Sequence, residues 1–457
     1  MTKPQGAALF ESAKKIYPRE IGGRFARLSR LATVTLLGLF YAVPWLIWDE
    51  RQAVLFDLPA RKFHIFGLTL WPQDFPYLAL LLMILAYSLF FFTALAGRLF
   101  CGFACPQTVW TEIFIWMEQL TEGTRSQRMK LDKAPWSWNK FRRKFSKQFL
   151  WITFAMWTGF TFVGYFTPIR QLGVDIVALN VGGWTLFWGL FYGFATYGNA
   201  GYMREQVCKY MCPYARFQSV MFDKDTLIIS YDEARGEPRG SRKRSDDPKE
   251  KGLGDCIDCT LCVQVCPTGI DIREGLQYEC IACAACIDAC DSIMDRMNYP
   301  RGLVRYTTEN ALHGKKSKVL RPRILIYATL LFVLVAGLVT SMATRTPAIL
   351  DVIRDRNTLY REVSGDIIEN IYTLKLINQS NDPRSFTLAV SGVEGISLDG
   401  APQPVEVDGG AVMSLPVRVR VHRDNAYGIM DIEFSMTATD DPSVSLVEDS
   451  RFLGPSP

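Results

Sequence analysis

Residues 256–290 read CIDCTLCVQVCPTGIDIREGLQYECIACAACIDAC, and their eight cysteines form two runs of C-x2-C-x2-C-x3-C. The first run is Cys256, Cys259, Cys262 and Cys266; the second is Cys280, Cys283, Cys286 and Cys290. Three closely spaced thiolates can wrap one face of an iron–sulfur cubane, while the fourth reaches the neighbouring cluster. The spacing therefore predicts two 4Fe-4S clusters in a ferredoxin-type α+β module. Cys256, Cys259, Cys262 and Cys290 hold one cluster, and Cys280, Cys283, Cys286 and Cys266 hold the other. Zinc sites pair two C-x2-C hooks across a longer gap, and disulfide scaffolds belong to small secreted chains, so neither fits. Pro267 follows Cys266 as in the usual motif, whereas Cys290 is followed by Asp291. Two clusters in one module make an electron relay.

Working outward, the remaining four cysteines carry a second repeated pattern. Cys101 and Cys105 stand in Cys-Gly-Phe-Ala-Cys-Pro, and Cys208 and Cys212 in Cys-Lys-Tyr-Met-Cys-Pro, each C-x3-C-P. If each stretch is helical, the thiols at i and i+4 share a face and can bind one metal. Pro106 and Pro213 suit the first turn of a new helix, which leaves Cys105 and Cys212 near helix N-termini where thiolates are favoured. Two unrelated pairs of buried structural cysteines would be the plainer reading, but they do not explain two copies of one six-residue pattern. A four-thiolate site suits Cu(I), zinc or a further iron–sulfur centre, and the spacing does not choose among them. Met203 and Met211 lie nearby as soft donors, although a methionine beside a span is more often a packing residue.

Aromatic residues make up 13% of the chain and gather in apolar stretches separated by charged ones, the distribution of a polytopic membrane protein. Five runs are long enough to cross a bilayer: Leu31 to Trp48, Pro76 to Gly97, Phe149 to Phe166, Trp184 to Met203 and Ile324 to Met342. The first follows a basic segment but has no small-residue cleavage site, so it is an anchor rather than a signal peptide. Lys and Arg crowd the second and fourth connectors and are sparse in the first and third, which places the N-terminus and the cysteine module inside and the C-terminus outside. Beside membrane spans the basic runs read as topology and contact with anionic lipid, with no nucleic-acid role.

These spans divide the chain. Residues 1–30 form a cytoplasmic segment, and 31–232 form four transmembrane helices with both C-x3-C-P motifs. A linker and the ferredoxin-like module occupy 233–323, the stretch from Glu233 to Gly254 being the linker because it is rich in Gly, Pro and charge. The fifth helix is 324–342. In 343–457, Leu374, Leu376, Phe386, Leu388 and Val390 alternate with polar or small neighbours, and Leu415, Val417, Val419 and Val421 do the same. Period-2 alternation between turn clusters predicts a periplasmic, all-β immunoglobulin-like sandwich.

Histidine is scarce: His64, His313 and His422 are the only three, none in a span, so a bis-histidine transmembrane heme is excluded. No Gly-rich dinucleotide fingerprint follows a predicted strand.

Five spans, paired C-x3-C-P motifs, the double-cluster module and an outer sandwich, in that order, resemble the CcoG family of cytochrome c oxidase accessory proteins, also called FixG or RdxA. The resemblance implies an inner-membrane protein that serves assembly of a cbb-type oxidase by reducing Cu(II) to Cu(I). It implies assembly factors or a copper transporter or chaperone as partners. On this reading Cys101, Cys105, Cys208 and Cys212 are the catalytic copper-handling residues, supplied with electrons through the two clusters from a donor that the sequence does not identify. Two other classes remain: an electron-transfer subunit passing electrons from quinol or a soluble donor to a partner reductase, and a copper-holding scaffold without turnover.

Overall fold

The computed structural model describes residues 15–246, 251–356, 358–380 and 382–456. Lys14 of the basic N-terminal segment, residues 247–250 of the expected linker, Asn381 of a turn cluster and Pro457 lie outside the described residues. Two units, divided after Ala336, are taken in turn.

The first unit opens with α1 (Arg24–Ala42), which starts seven residues before the expected span and gives way to a 3-10 turn at Val43–Trp45. Pro44 ends the α-helical ladder, and Ile47–Trp48 (β1) then pairs with Arg51–Gln52 (β2) instead of extending the helix. A small antiparallel sheet follows, made of β3 (Val54–Asp57), β4 (Lys62–Ile65) and β5 (Leu68–Leu70). Next comes α2 (Phe75–Ala96), with Pro76 in its first turn and Gly97 at its end with φ +56°.

Four further helices are α3 (Leu99–Phe103), α4 (Pro106–Glu122), α5 (Arg125–Lys133) and α6 (Trp138–Val163). Then α7 (Ile169–Val177) leads to α8 (Gly183–Thr196), which continues through π-helical turns at Tyr197–Met203 and Val207–Met211 into α9 (Pro213–Met221). Helices α6 and α8 cross closely, because a Cβ on Gly159 would lie 2.1 Å from the Gly189 carbonyl oxygen. Small residues permit that approach between apolar helices.

Among the described residues, three helices are long and apolar enough to cross a membrane: Arg24–Trp45, Phe75–Ala96 and the helix Pro322–Ala343, which runs across the boundary between the units. Their large apolar side chains, Leu82, Leu85, Phe332 and Val333 among them, are exposed rather than packed inside. A helix apolar on all sides and exposed on most of them is solvated by lipid. Helix α6 has the length, but its first half carries Lys140, Arg142, Arg143, Lys144 and Lys147; α8 is short until its π-helical continuation is added.

The second unit is a two-layer sandwich. One sheet orders as β12 (Ser397–Asp399), β14 (Val412–His422), β10 (Ile367–Asn378), β8 (Ala348–Arg354), with β9 (Arg361–Val363) also on β10. The other orders as β13 (Val405–Val407), β11 (Arg384–Ser391), β15 (Ile429–Ala438), β16 (Ser445–Leu453). The alternating residues point inward as predicted: Leu374, Leu376, Phe386, Leu388, Val417, Val419 and Val421 are buried with Tyr372, Phe434 and Phe452. The Tyr372 hydroxyl donates to the Arg451 carbonyl at 2.8 Å, satisfying the one polar atom of that buried ring.

Candidate metal centres

The cysteine module is built on a two-stranded sheet. Strand β6 (Ile228–Tyr231) pairs with β7 (Val304–Thr307) and thereby closes the segment that holds all eight cysteines. The described residues of the stretch expected as a mobile linker are bonded into this module. It begins with the short helix α10 (Glu233–Gly236). The Gly254 amide donates to the Pro238 carbonyl at 2.9 Å, Asp255 to Arg235 at 2.9 Å and Gly240 to Cys256 at 3.2 Å. A Cβ on Gly254 would stand 2.4 Å from the Gly236 carbonyl carbon, so these glycines serve close backbone approach rather than flexibility.

Both cysteine runs share one backbone device. Asp258 and Thr260 flank Cys259 with φ near +53° and +55°, and Ala282 and Ala284 flank Cys283 with φ +55° and +61°. A left-handed conformation at a residue other than glycine costs about 1–2 kcal/mol, so four of them in matched places need compensation. Such turns aim successive amides into a concavity that suits an anionic cluster. Two cavities lie within these loops. One is lined by Cys256, Cys259, Cys262 and Cys290; the other by Cys266, Cys280, Cys283 and Cys286, and Cys262 lines it as well. The fourth cysteine of each run thus lines a pocket with cysteines of the other run.

Helices account for the order of the motifs. After α11 (Leu261–Gln264) the chain turns at Cys266 and Pro267, whereas Cys286 and Cys290 both lie in α12 (Ala285–Met297). A proline after Cys290 would break α12; Asp291 continues it and accepts from the Gly302 amide at 3.0 Å. Burial pushes the thiols of Cys262 and Cys280 up to about 11 and that of Cys290 up to about 12, with Cys283 and Cys286 also raised. Cluster binding must therefore displace protons that burial alone would retain. Arg273, which the spacing gave no reason to single out, lines the first cavity and is held by Asp271 and Asp258.

The two C-x3-C-P motifs fold alike. Cys101 lies in α3 and Cys208 in a π-helical turn, while Cys105 and Cys212 are extended N-cap residues with Pro106 and Pro213 opening α4 and α9. The prolines sit as predicted, but the cysteines of a pair do not share one continuous helical face, because each second cysteine has already left the helix. An arginine precedes each motif, with Leu99 and Phe100 between Arg98 and Cys101, but Glu205, Gln206 and Val207 between Arg204 and Cys208. The extra residue is absorbed where the second copy winds as π-helix.

Each arginine reaches into the other copy. The buried Arg98 guanidinium donates to the Ala215 carbonyl on α9, and Arg204 donates to Glu118 on α4 at 2.7 Å. Burial acts to raise the Glu118 carboxyl, yet Arg204 and its neighbours bring it below the usual carboxylate range. The exchange draws the four thiols within electrostatic reach of one another. Burial pushes Cys101 up to about 12 and Cys208 up to about 11, and raises Cys105; each is raised further by another thiol of the group. Cys101 Sγ also contacts the carbonyl oxygen of buried Gln218 at 3.3 Å, and Gln218 Nε2 donates to Thr93 at 3.3 Å. Among the described residues, no three His, Cys, Asp or Glu side chains close as tightly as a single-ion site. Four thiols set apart in this way suit a multi-atom centre, or an ion drawn in with some movement of the side chains.

The four-thiol group and the cysteine module touch. A Cβ on Gly102 would lie 2.8 Å from the carbonyl oxygens of both Ile281 and Ala282, and Arg98 donates to the carbonyls of Tyr278 and Cys280. No long linker is needed to bring them together, because α3 already packs on the second cysteine loop.

Comparison with known proteins bears on each part. Residues 203–309 match a 4Fe-4S dicluster domain, 78–125 a 4Fe-4S binding domain, and 338–455 the IG-like fold at the C-terminus of FixG. The nitrogen fixation protein FixG of Rhizobium meliloti is 35% identical over 86% of this chain and 82% of its own length. Protein RdxB of Cereibacter sphaeroides is 38% identical over 89% of this chain and 88% of its own length, and protein RdxA of the same organism 36% over 97% and 94%.

Proposed function

The chain belongs to the FixG (RdxA) family of iron–sulfur proteins, and from that premise we propose that it is a membrane-bound oxidoreductase that reduces Cu(II) to Cu(I). The substrate copper is handled by Cys101, Cys105, Cys208 and Cys212. Cys256, Cys259, Cys262 and Cys290 hold one 4Fe-4S cluster, and Cys266, Cys280, Cys283 and Cys286 the other. Each cluster supplies a one-electron store; the protein's own residues do the rest. They bind copper as thiolates, which favour the cuprous state, and they shield it in a half-buried group. Those thiols must lose protons to bind, so uptake of copper is coupled to proton release.

The observation that carries this reading is the gathering of four thiols, from motifs a hundred residues apart in sequence, beside the loop of the second cluster pocket. The topology belongs to the same proposal. Five spans, with α6 and the α8 continuation as the third and fourth, put the N-terminus and the clusters in the cytoplasm of a bacterial cell and the sandwich in the periplasm, as the basic connectors require. Service to assembly of a cbb-type oxidase, with copper-carrying partners, rests on the family resemblance.

One observation favours a second reading, in which the four thiols hold a further iron–sulfur centre and the chain is an electron-transfer subunit: residues 78–125 match a 4Fe-4S binding domain. Metal analysis of the purified protein separates the two. Two clusters give about eight irons per chain and a third gives about twelve. Loss of copper but not iron in the fourfold Cys→Ser variant supports the copper reading, and loss of iron from the four-thiol group supports the other.

A further inference from the structure

We propose, resting on the reading above, that the pocket of Cys266, Cys280, Cys283 and Cys286 is the exit end of the relay, and that Gly102 and Arg98 are positioning residues that press it against the C-x3-C-P thiols. The other pocket is then the entry end, facing a soluble one-electron carrier.

The two pockets differ in what they touch. Ile281 and Ala282 lie between Cys280 and Cys283 and line the second pocket. Their carbonyl oxygens stand where a side chain at position 102 would have to go, 2.8 Å from its Cβ. Only glycine allows that contact, and Gly102 is the residue next to Cys101. The second copy of the motif has Lys209 at the equivalent place, so the close approach is made by one copy only.

Arg98 is 4% exposed and, at the N-cap of α3, ties three segments of chain together: the start of α3 itself, the Ala215 carbonyl on α9, and the Tyr278 and Cys280 carbonyls that lead into the second loop. The Ala282 carbonyl also accepts from the Tyr306 hydroxyl at 2.6 Å, which fixes it from the module side. Among the described residues, the C-x3-C-P motifs make no such contact with the first pocket, beside which Ile21 of the N-terminal segment packs against Leu261, Val265 and Ala289. Cys259 of that pocket is the one exposed cysteine of the twelve, and a donor in solution can approach it. The balance is simple: a reduced carrier loses one electron at the Cys259 face, and one Cu(II) gains one to become Cu(I) at the thiols.

The test uses the full-length, cluster-loaded protein in detergent, with iron content verified, comparing Gly102→Ala and Gly102→Val with Gly38→Val, a glycine with open space around it. Hydrogen exchange is followed in residues 278–284 and 256–262, and cluster absorbance reports reduction by dithionite and then oxidation by added Cu(II). The expected result is graded loss of protection confined to 278–284, an unchanged rate of reduction by dithionite, and oxidation by Cu(II) slowed several-fold. If valine costs the cluster, alanine carries the test. Unchanged protection at 278–284, or slowed reduction with normal oxidation, overturns the proposal. Wild-type clusters that Cu(II) cannot oxidise would refute the copper reading instead, since the exchange measurement uses no copper.

Discussion

The carboxylate of Asp288 accepts from the backbone amide of Ala26 at 2.7 Å and from that of Phe25 at 3.3 Å, so a residue between two cluster cysteines caps the first apolar helix. Asp288 is 7% exposed, and the amides at the start of α1 have no intrahelical partner. Loss of a capping carboxylate costs about 0.5–2 kcal/mol. Asp288→Ala is therefore expected to free residues 15–23 from the module, seen as faster proteolysis at Arg19 or Arg24, with iron content largely kept. Cleavage no faster than in the unaltered protein would mean that the cap does not hold α1 in place.

The clusters are expected to be structural as well as redox-active, because a small cysteine-rich unit folds around its metal. Cys256→Ser and Cys283→Ser should each lower iron and sulfide content in anaerobic preparations and expose the module to protease. A full complement of iron in both variants would show that the ligand sets are wrong.

A pH response is expected in the sheet β3 to β5. Burial, then Arg51 and Lys62, lower the His64 imidazole from 6.5 to about 4. A depressed value means that the folded sheet resists protonation that the unfolded loop accepts. Its contribution to stability is whole above about pH 6.5 and is lost as pH falls towards 4. Hydrogen exchange in residues 54–70 should accelerate between those values, and His64→Gln should remove the pH dependence. A flat profile in the native protein contradicts the assignment.

What could be read from sequence follows how local each signal is. The eight cysteines of the module lie within thirty-odd residues of one another, so their repeated spacing is visible in the sequence itself. The sandwich strands are equally legible, because alternation places Leu374 and Val417 inward without reference to anything distant. Gly102, Arg98, Gln218 and Asp288 are not legible, since each acts on a partner more than a hundred residues away. The segment 233–254 misleads for a related reason: its glycines look like flexibility until Gly236 and Gly254 are seen back to back. Similarly, α1 begins before its apolar run because Asp288, not the helix's own sequence, supplies the start.

Sidedness can be tested directly. A phosphatase reporter fused after the last residue should be active in intact cells, and one inserted near Arg242 should not, as the basic connectors require. A well-expressed C-terminal fusion without activity would remove the five-span topology.

In the proposed function, four thiols from two separate motifs form one site where Cu(II) is reduced with electrons from the clusters. The most direct measurement counts Cu(I) formed and copper bound per protein after reduction of the clusters, in the native chain and in the variant with Cys101, Cys105, Cys208 and Cys212 all replaced by serine. Thiols alone can reduce Cu(II) by forming disulfides, so each sample is also measured with its clusters oxidised beforehand. The native protein is expected to yield more Cu(I) when its clusters are reduced, and the variant to keep its iron but lose both copper binding and that increment. Equal binding and equal reduction in the variant would contradict the proposed function.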